Sequence, residues 1–184
     1  MIRRHTKTVR LTHWAIAASI LLLFFSGFGQ MPLYKRYMLT DIAPWTGDYW
    51  LTLQLHYIGA IILMTAVAWH IIYHGLRKER GLIPRSGDVR ESYQIMKAMV
   101  TGGAEPPSDK YLAEQRLAYA FIAGNVGLVI VTGVVKVIKN MGINLNDSLL
   151  FWSTQLHNLG AVLLLLGFFA HLAAFLVPAN RKLL

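Results

Sequence analysis

The chain contains no cysteine. This absence excludes disulfide bonds, thiolate zinc sites, iron–sulfur ligation and the Cys-x-x-Cys-His attachment of c-type haem. Any metal or cofactor chemistry must therefore depend on histidine, on carboxylates or on a group that is held without a covalent bond.

Charged residues are also scarce, at 15% of the 184 residues, whereas an ordinary globular domain carries about 25%. The acidic residues are the rarer sign, with 9 Asp and Glu against 18 Lys and Arg, a net charge of +9. A hydrophobic content of 55% excludes a disordered chain. Because the basic residues flank long apolar runs, they do not resemble a nucleic-acid-binding surface. These features indicate a small integral membrane protein.

Four apolar runs are long enough to cross a hydrocarbon core, which requires about 20 residues. They predict helices at about 11–29, 51–74, 113–137 and 151–177. The first run follows several basic residues, as in a signal peptide, but its length and its poor cleavage site favour a retained helix. The sequence therefore predicts an all-α, integral membrane four-helix bundle that forms one domain over 1–184.

The positive charges predict the orientation. Fourteen of the 18 Lys and Arg lie in the N-terminal arm, around the segment 75–112 and in the C-terminal tail. Because Lys and Arg favour the cytoplasmic side, both termini and the segment 75–112 are predicted to be cytoplasmic. The expected location is the bacterial cytoplasmic (inner) membrane.

Within this segment, apolar residues recur at helical spacing behind a possible N-cap at Asp88. They are Val89, Tyr93, Met96 and Val100. This pattern predicts a short amphipathic helix, which lies on the membrane surface or forms a docking face for a partner.

Apart from His74, which is expected to be interfacial, five of the seven histidines lie within the apolar helices or at their ends. Ionisable residues inside a membrane are costly, so each is a candidate functional residue. His157 and His171 are 14 residues apart, which corresponds to about 21 Å along one helix, on roughly the same face. His56 and His70 repeat this spacing in the second helix.

The sequence around two of these histidines is also repeated. Gln54-Leu55-His56-Tyr57-Ile58-Gly59-Ala60 matches Gln155-Leu156-His157-Asn158-Leu159-Gly160-Ala161. The glycine three residues after each histidine is predicted to leave a flat space in which a porphyrin could approach the backbone.

Paired imidazoles at equal depth, without cysteine or carboxylates, are suited to six-coordinate haem iron. Zinc collects four ligands at one point, and a proton relay usually includes Asp or Glu. The pattern therefore predicts two b-type haems, the outer one bound by His56 and His157. The inner one has His171 with either His13 or His70, and spacing slightly favours His70.

The combination of motifs resembles a known family. Arg10-Leu11-Thr12-His13-Trp14 is similar to the opening of the di-haem cytochrome b subunits of membrane-bound formate dehydrogenases and nickel–iron hydrogenases. His157-x-x-Gly160 with His171 resembles the fourth helix of that family. Pro106-Pro107-x-x-Lys110-Tyr111-x-Ala113-x-Gln115-Arg116, followed by Val131-Thr132-Gly133, resembles the gamma subunit of formate dehydrogenase in particular.

This resemblance implies a ligand set in which His13 and His171 hold the inner haem and His56 and His157 the outer one. His70 then becomes an alternate inner ligand. The resemblance also implies a quinone, menaquinone or ubiquinone, bound near the inner haem. The residues expected at that pocket are Tyr111, Gln115, His171 and Ala174. Leu112 stands where the formate dehydrogenase pattern has an Asn associated with the quinone.

The implied function is electron transfer from an iron–sulfur subunit, coupled to a molybdenum or tungsten catalytic subunit, through the haems to the quinone. From their positions near helix ends, Arg10, Arg77, Lys35 and Arg36 are candidate contacts for haem propionates. The alternatives are the cytochrome b subunit of a nickel–iron hydrogenase or another molybdenum oxidoreductase, and a cofactor-free anchor or small transporter.

Overall fold

The chain is all-helical wherever the structure describes it. The computed structural model describes residues 6–31, 41, 44–103 and 111–174, and in these ranges no β-strand is present. Four helices are long and apolar enough to cross a membrane, which confirms the predicted all-α fold with four spans. Lys35, Arg36 and the predicted helical residues 175–177 lie outside the described residues. The helices are α1 (Lys7–Gln30), α2 (Tyr49–Leu76), α3 (Asp88–Thr101), α4 (Ala113–Asn140) and α5 (Asp147–Ala174), with a 3-10 turn at Pro44–Gly47.

Three of the four spans begin before their apolar runs because polar side chains cap them. The Thr6 hydroxyl accepts a hydrogen bond from Val9 N in the first turn of α1. Asp48 accepts from two backbone N–H groups at the start of α2, and Asn146 does the same for α5. Each cap satisfies amide groups that the helix leaves without an internal partner. The apolar residues therefore predicted the spans, and the caps set their first residues.

The chain divides into two compact units, Met1–Arg77 and Lys78–Leu184. In the first unit α1 packs against α2, and the contacts run in antiparallel order. Close contacts join Gly29 to Thr52 and Gly59 to Leu23. We call the end at residues 31–48 the connected end of this helix pair, and the end with Thr6 and Leu76 its open end.

In the second unit α4 packs against α5, and α3 packs against α4. Gly160 faces Leu128 and Val129, and Gly167 faces Phe121, so this pair is also antiparallel. Its connected end is at residues 141–146, and its open end contains Ala113 and Ala174.

The two helix pairs bury equivalent positions. In α2 the buried residues are Thr52, Gly59, Leu63 and Ala66; in α5 they are Ser153, Gly160, Leu164 and Gly167. Each residue of the second set lies 101 positions after its counterpart. The internal repeat seen around His56 and His157 therefore includes the buried face of both helices, from Thr52 to Ala66 and from Ser153 to Gly167.

The interior of each pair consists mainly of small and polar residues, whereas large apolar side chains point outward. Ser19, Ser26 and Thr132 are buried, while Leu11 is 73% exposed and Val131 64% exposed. Small residues at the contact allow helix backbones to approach closely in a membrane, where burial of large apolar groups supplies no drive for association. This distribution is typical of membrane-spanning helices.

Candidate functional site

His56 lies on α2 against the last turns of α1. Its Nδ1 atom is 3.0 Å from the Ser26 hydroxyl oxygen, and that hydroxyl donates to the carbonyl of Leu22 at 2.7 Å. A Cβ at Gly27 would lie 3.4 Å from His56 Cε1. The Ser26-Gly27 dipeptide therefore binds one edge of the imidazole and leaves room for it.

His157 has the same surroundings in the second unit. Its Nδ1 atom is 3.0 Å from the Thr132 hydroxyl oxygen, which donates to the carbonyl of Leu128 at 2.7 Å. A Cβ at Gly133 would lie 3.3 Å from His157 Cε1. Both rings are partly buried, and both are oriented by a neighbouring helix of their own unit.

The donor set fits a haem iron. In each unit an imidazole is bound at Nδ1 by a hydroxyl, and the orientation of a metal-ligating histidine usually depends on such a second hydrogen bond. Sequence reasoning missed Ser26 and Thr132 as members of this site. The signal was present: α1 and α4 share the residue pattern Leu-x-x-x-(Ser/Thr)-Gly, at Leu22–Gly27 and Leu128–Gly133.

The glycines after the histidines have a different role from the one predicted. A Cβ at Gly59 would lie 3.1 Å from Leu23 Cγ, and a Cβ at Gly160 would lie 2.8 Å from Val129 Cγ1. Side chains of the neighbouring helix fill the space beside both residues. The prediction of a flat space for a porphyrin at these glycines is therefore wrong, because the glycines allow close contact between the two helices of each pair.

The other candidate ligands lie toward the open ends. The antiparallel register of α1 and α2, continued from the Ser26–His56 contact, brings His13 level with His70. His13 is exposed, and its ring meets Trp14 edge-on with centroids 5.6 Å apart. The His70 ring lies 4.4 Å from the His74 ring. In the second unit, His171 is exposed in the last turn of α5.

The residues expected to bind quinone lie at the open end of the second unit. The register of α4 and α5 places Gln115 level with Ala174. The Gln115 side-chain oxygen accepts from Leu112 N at 3.2 Å, so it caps α4. The Tyr111 ring packs against Gly81, where a Cβ would lie 3.0 Å from two ring atoms.

Arg116 fixes α3 onto this same end of α4. Its guanidinium donates to both carboxylate oxygens of Asp88, at 2.8 and 2.6 Å, and to the carbonyl of Tyr111 at 2.6 Å. The side chains of Arg116 and Asp88 are each only 3% exposed. The hydrogen bonds from Arg116, together with one from Arg85 N, lower the pKa of Asp88 to about 2, despite the opposing effect of burial.

This ion pair changes the predicted start of α3. The N-cap is Gly87, with φ of 98°, and not Asp88, because the Asp88 carboxylate is turned toward Arg116. The apolar stripe of α3 is exposed as expected at Val89, Tyr93 and Met96, whereas the side chain of Val100 lies outside the described part of the chain. Ile95, which the predicted stripe omitted, is buried.

The candidate propionate contacts in the described residues lie on the first unit. Arg10 is exposed on α1. Arg77 is exposed at the end of α2, where its guanidinium carbon lies 5.3 Å from the centre of the Tyr73 ring. Both residues are at the open end of the first helix pair.

Comparison with known protein families shows which family the chain resembles. The family described as prokaryotic cytochrome b561 matches residues 4–184, which is nearly the whole chain. No curated protein matches the sequence at a significant level. The four apolar spans, the paired histidines and this match together show that the chain belongs to the prokaryotic cytochrome b561 family, the multi-pass membrane cytochromes b that carry electrons with haem b.

Proposed function

We propose that this chain is the membrane subunit of a formate dehydrogenase-type complex, which transfers electrons from a periplasmic-side iron–sulfur partner to a quinone near the cytoplasmic side. The observation that carries the proposal is the repeated site in which a hydroxyl binds Nδ1 of His56 in one unit and of His157 in the other. Two imidazoles in matching surroundings are the pair of ligands that one haem iron takes.

Haem b, when bound, supplies a one-electron carrier held in an apolar sheath. His56 and His157 are the proposed ligands of the outer haem. His13 and His171 are the proposed ligands of the inner haem, with His70 as the alternate. His13 and His70 lie level with each other at the open end of the first helix pair, whereas His56 lies nearer to its connected end. This separation along the helices supports a second haem at a different depth.

The proposed quinone pocket includes Tyr111, Gln115, His171 and Ala174. Its support is the register that places Gln115 level with Ala174 at the open end of the second pair. Because the Gln115 side-chain oxygen is bound to Leu112 N, the group available for a quinone carbonyl is the amide NH2. The formate dehydrogenase pattern has an Asn at the position of Leu112, and Leu112 has no side-chain hydrogen-bond donor. The Gln115 amide supplies that donor instead.

The proposed orientation places both termini and α3 on the cytoplasmic side. Fourteen of the 18 Lys and Arg fall on that side in this arrangement, as the positive-inside rule requires. Quinone reduction near the cytoplasm, with electrons arriving from outside, takes up protons on the inner side. Because the chain has no cysteine, the iron–sulfur clusters of this proposal belong to another subunit. The molybdenum or tungsten centre is assigned to the catalytic subunit of the complex.

The second candidate function is the cytochrome b subunit of a nickel–iron hydrogenase or of another molybdenum oxidoreductase. The match to the prokaryotic cytochrome b561 family fits either partner. Only the partner and its substrate differ between these functions, so subunits that copurify with the chain distinguish them.

The test is a reduced-minus-oxidised visible spectrum and a pyridine haemochrome assay of the purified protein. We expect two haems b per chain, falling to one in His56→Ala and in His157→Ala. His74→Ala is the matched control, since it removes an imidazole that is not a proposed ligand. A wild-type protein without a b-type band, or two haems in both ligand variants, would overturn the proposal.

The inner ligand needs its own pair of variants. His13→Ala should lose the inner haem, and His70→Ala should keep it. If His70→Ala loses that haem while His13→Ala keeps it, His70 is the ligand.

A further inference from the structure

We propose that Ser26 and Thr132 are positioning residues that hold His56 and His157 as the tautomer with the proton on Nδ1. The unprotonated Nε2 atom is then presented as the ligand atom. This inference deepens the proposed function and rests on it for the identity of the bound group.

The argument begins with the single proton of the Ser26 hydroxyl. The carbonyl oxygen of Leu22, 2.7 Å from Ser26 Oγ, can only accept a hydrogen bond. The hydroxyl proton is therefore directed to that carbonyl. The bond between Ser26 Oγ and His56 Nδ1 at 3.0 Å must then use a proton carried by Nδ1.

The same argument applies independently to the second unit. Thr132 donates its proton to the carbonyl of Leu128 at 2.7 Å, so His157 Nδ1 donates to Thr132 Oγ1 across 3.0 Å. A neutral imidazole carries one N–H and one lone pair. In both histidines the lone pair is consequently on Nε2.

This arrangement has an electronic consequence beyond ring orientation. A hydroxyl that donates to a carbonyl is polarised and becomes a better acceptor for the Nδ1 proton. A hydrogen bond from the outer nitrogen raises the basicity of the ligand nitrogen. A more basic ligand stabilises ferric over ferrous iron, so the two hydroxyls should lower the midpoint potential of the outer haem.

A purely structural role for the hydroxyls makes a different prediction. Hydroxyls that only join two helices would affect stability when removed, without changing the potential of a haem that is still bound. The conservative exchanges Ser26→Thr and Thr132→Ser keep the acceptor oxygen and separate the two roles. Thr65→Ala is the matched control, because the Thr65 hydroxyl donates to the carbonyl of Ile61 and lies on the exposed side of α2.

The experiment compares haem affinity and midpoint potential among these variants in the full-length protein. We expect Ser26→Ala and Thr132→Ala each to weaken outer-haem binding by about 10–100-fold and to raise its potential. The conservative exchanges and Thr65→Ala should stay close to wild type. Unchanged affinity and potential in both alanine variants, with His56→Ala still losing a haem, would overturn the inference alone.

A second measurement does not require a bound haem. In the ¹⁵N-histidine NMR spectrum of the haem-free full chain, His56 and His157 should show a protonated Nδ1 and an unprotonated Nε2. Ser26→Ala and Thr132→Ala should shift the affected histidine toward the other tautomer. A wild-type spectrum with Nε2 protonated in either residue overturns the inference, whereas two haems retained in both His56→Ala and His157→Ala overturn the proposed function.

Discussion

The helix pair α1–α2 and the pair α4–α5 are two versions of one arrangement that agree at the connected end and differ at the open end. At the connected end, Ser26 and His56 correspond to Thr132 and His157, with the same 3.0 Å contact. At the open end the sequence repeat continues as Arg10-Leu11-Thr12-His13 against Arg116-Leu117-Ala118-Tyr119, but the environments are different. The arrangement around the histidine is thus built twice, whereas the two open ends differ in their residues and contacts.

The two arginines show this difference most clearly. Arg10 is exposed, whereas Arg116 is buried against Asp88 and holds α3. His13 is replaced by Tyr119 at the corresponding position of α4. Both helices carry Arg-Leu at their fourth and fifth residues, but only α1 has a histidine three positions after the arginine.

The largest expected effect tests the agreement at the connected end. If the two histidine sites are equivalent, His56→Ala and His157→Ala should each lower the haem content from two to one per chain, by loss of the same outer haem. The remaining haem should have the same spectrum in both variants. Spectra of two different remaining haems would show that the histidines do not share a haem.

The next effect tests the difference between the arginines. Arg116→Ala leaves the buried carboxylate of Asp88 without its main partner, which is strongly destabilising, whereas Arg10→Ala changes an exposed residue and should have little effect. Thermal unfolding followed by circular dichroism measures both. The double variant Asp88→Leu/Arg116→Leu should recover much of the lost stability, because it removes both charges. Equal melting temperatures of Arg116→Ala and Arg10→Ala would contradict the expected difference between the two arginines.

A smaller effect tests the two glycine contacts. Gly160→Ala places a methyl group 2.8 Å from Val129 Cγ1, and overpacking of this kind costs about 1–3 kcal/mol. In Gly59→Ala the added methyl group meets Leu23 Cγ at 3.1 Å, which a small shift of the Leu23 side chain relieves. Because alanine also has the better helix propensity, the stability of this variant should stay nearer to that of the wild type. The free energies of unfolding in one detergent compare them, and a larger loss in Gly59→Ala would reverse the ranking.

The smallest expected effect is a loosening of α3 that occurs only at acidic pH. Because the pKa of Asp88 is about 2 in the folded protein, and about 3.9 in an unfolded chain, its contribution to stability is present above the unfolded value. It is lost as the pH falls through about 2. A nitroxide label at Val89 should therefore become more mobile between about pH 4 and pH 2.

The control for this titration is a label at Leu11 on α1, since Leu11 and Val89 are both 73% exposed. Its mobility should not follow the same curve, because Leu11 lies in the unit that does not contain Asp88. Loosening of α3 already at pH 5 would mean that Asp88 is not the group that titrates.

The sequence predicted the four spans and the histidine repeat because both are local patterns. An apolar run of about 20 residues identifies a span whatever lies beside it, and His56 and His157 stand in nearly identical heptapeptides. Prediction was less successful where a residue had two possible neighbours. Gly59 and Gly160 could face a porphyrin or another helix, and the packing within each helix pair decided this. Asp88 could cap α3 or bind Arg116, and the packing of α3 against α4 decided that.

The sequence by itself determined that this protein has four apolar spans, no thiolate chemistry and histidines spaced for two levels. These properties follow from residue type and helical period alone. Only the tertiary structure decided that Ser26 binds His56, that Thr132 binds His157 and that Arg116 binds Asp88. The partners in these contacts are between 25 and 30 residues apart in the chain, so they meet only when the register between two packed helices is set.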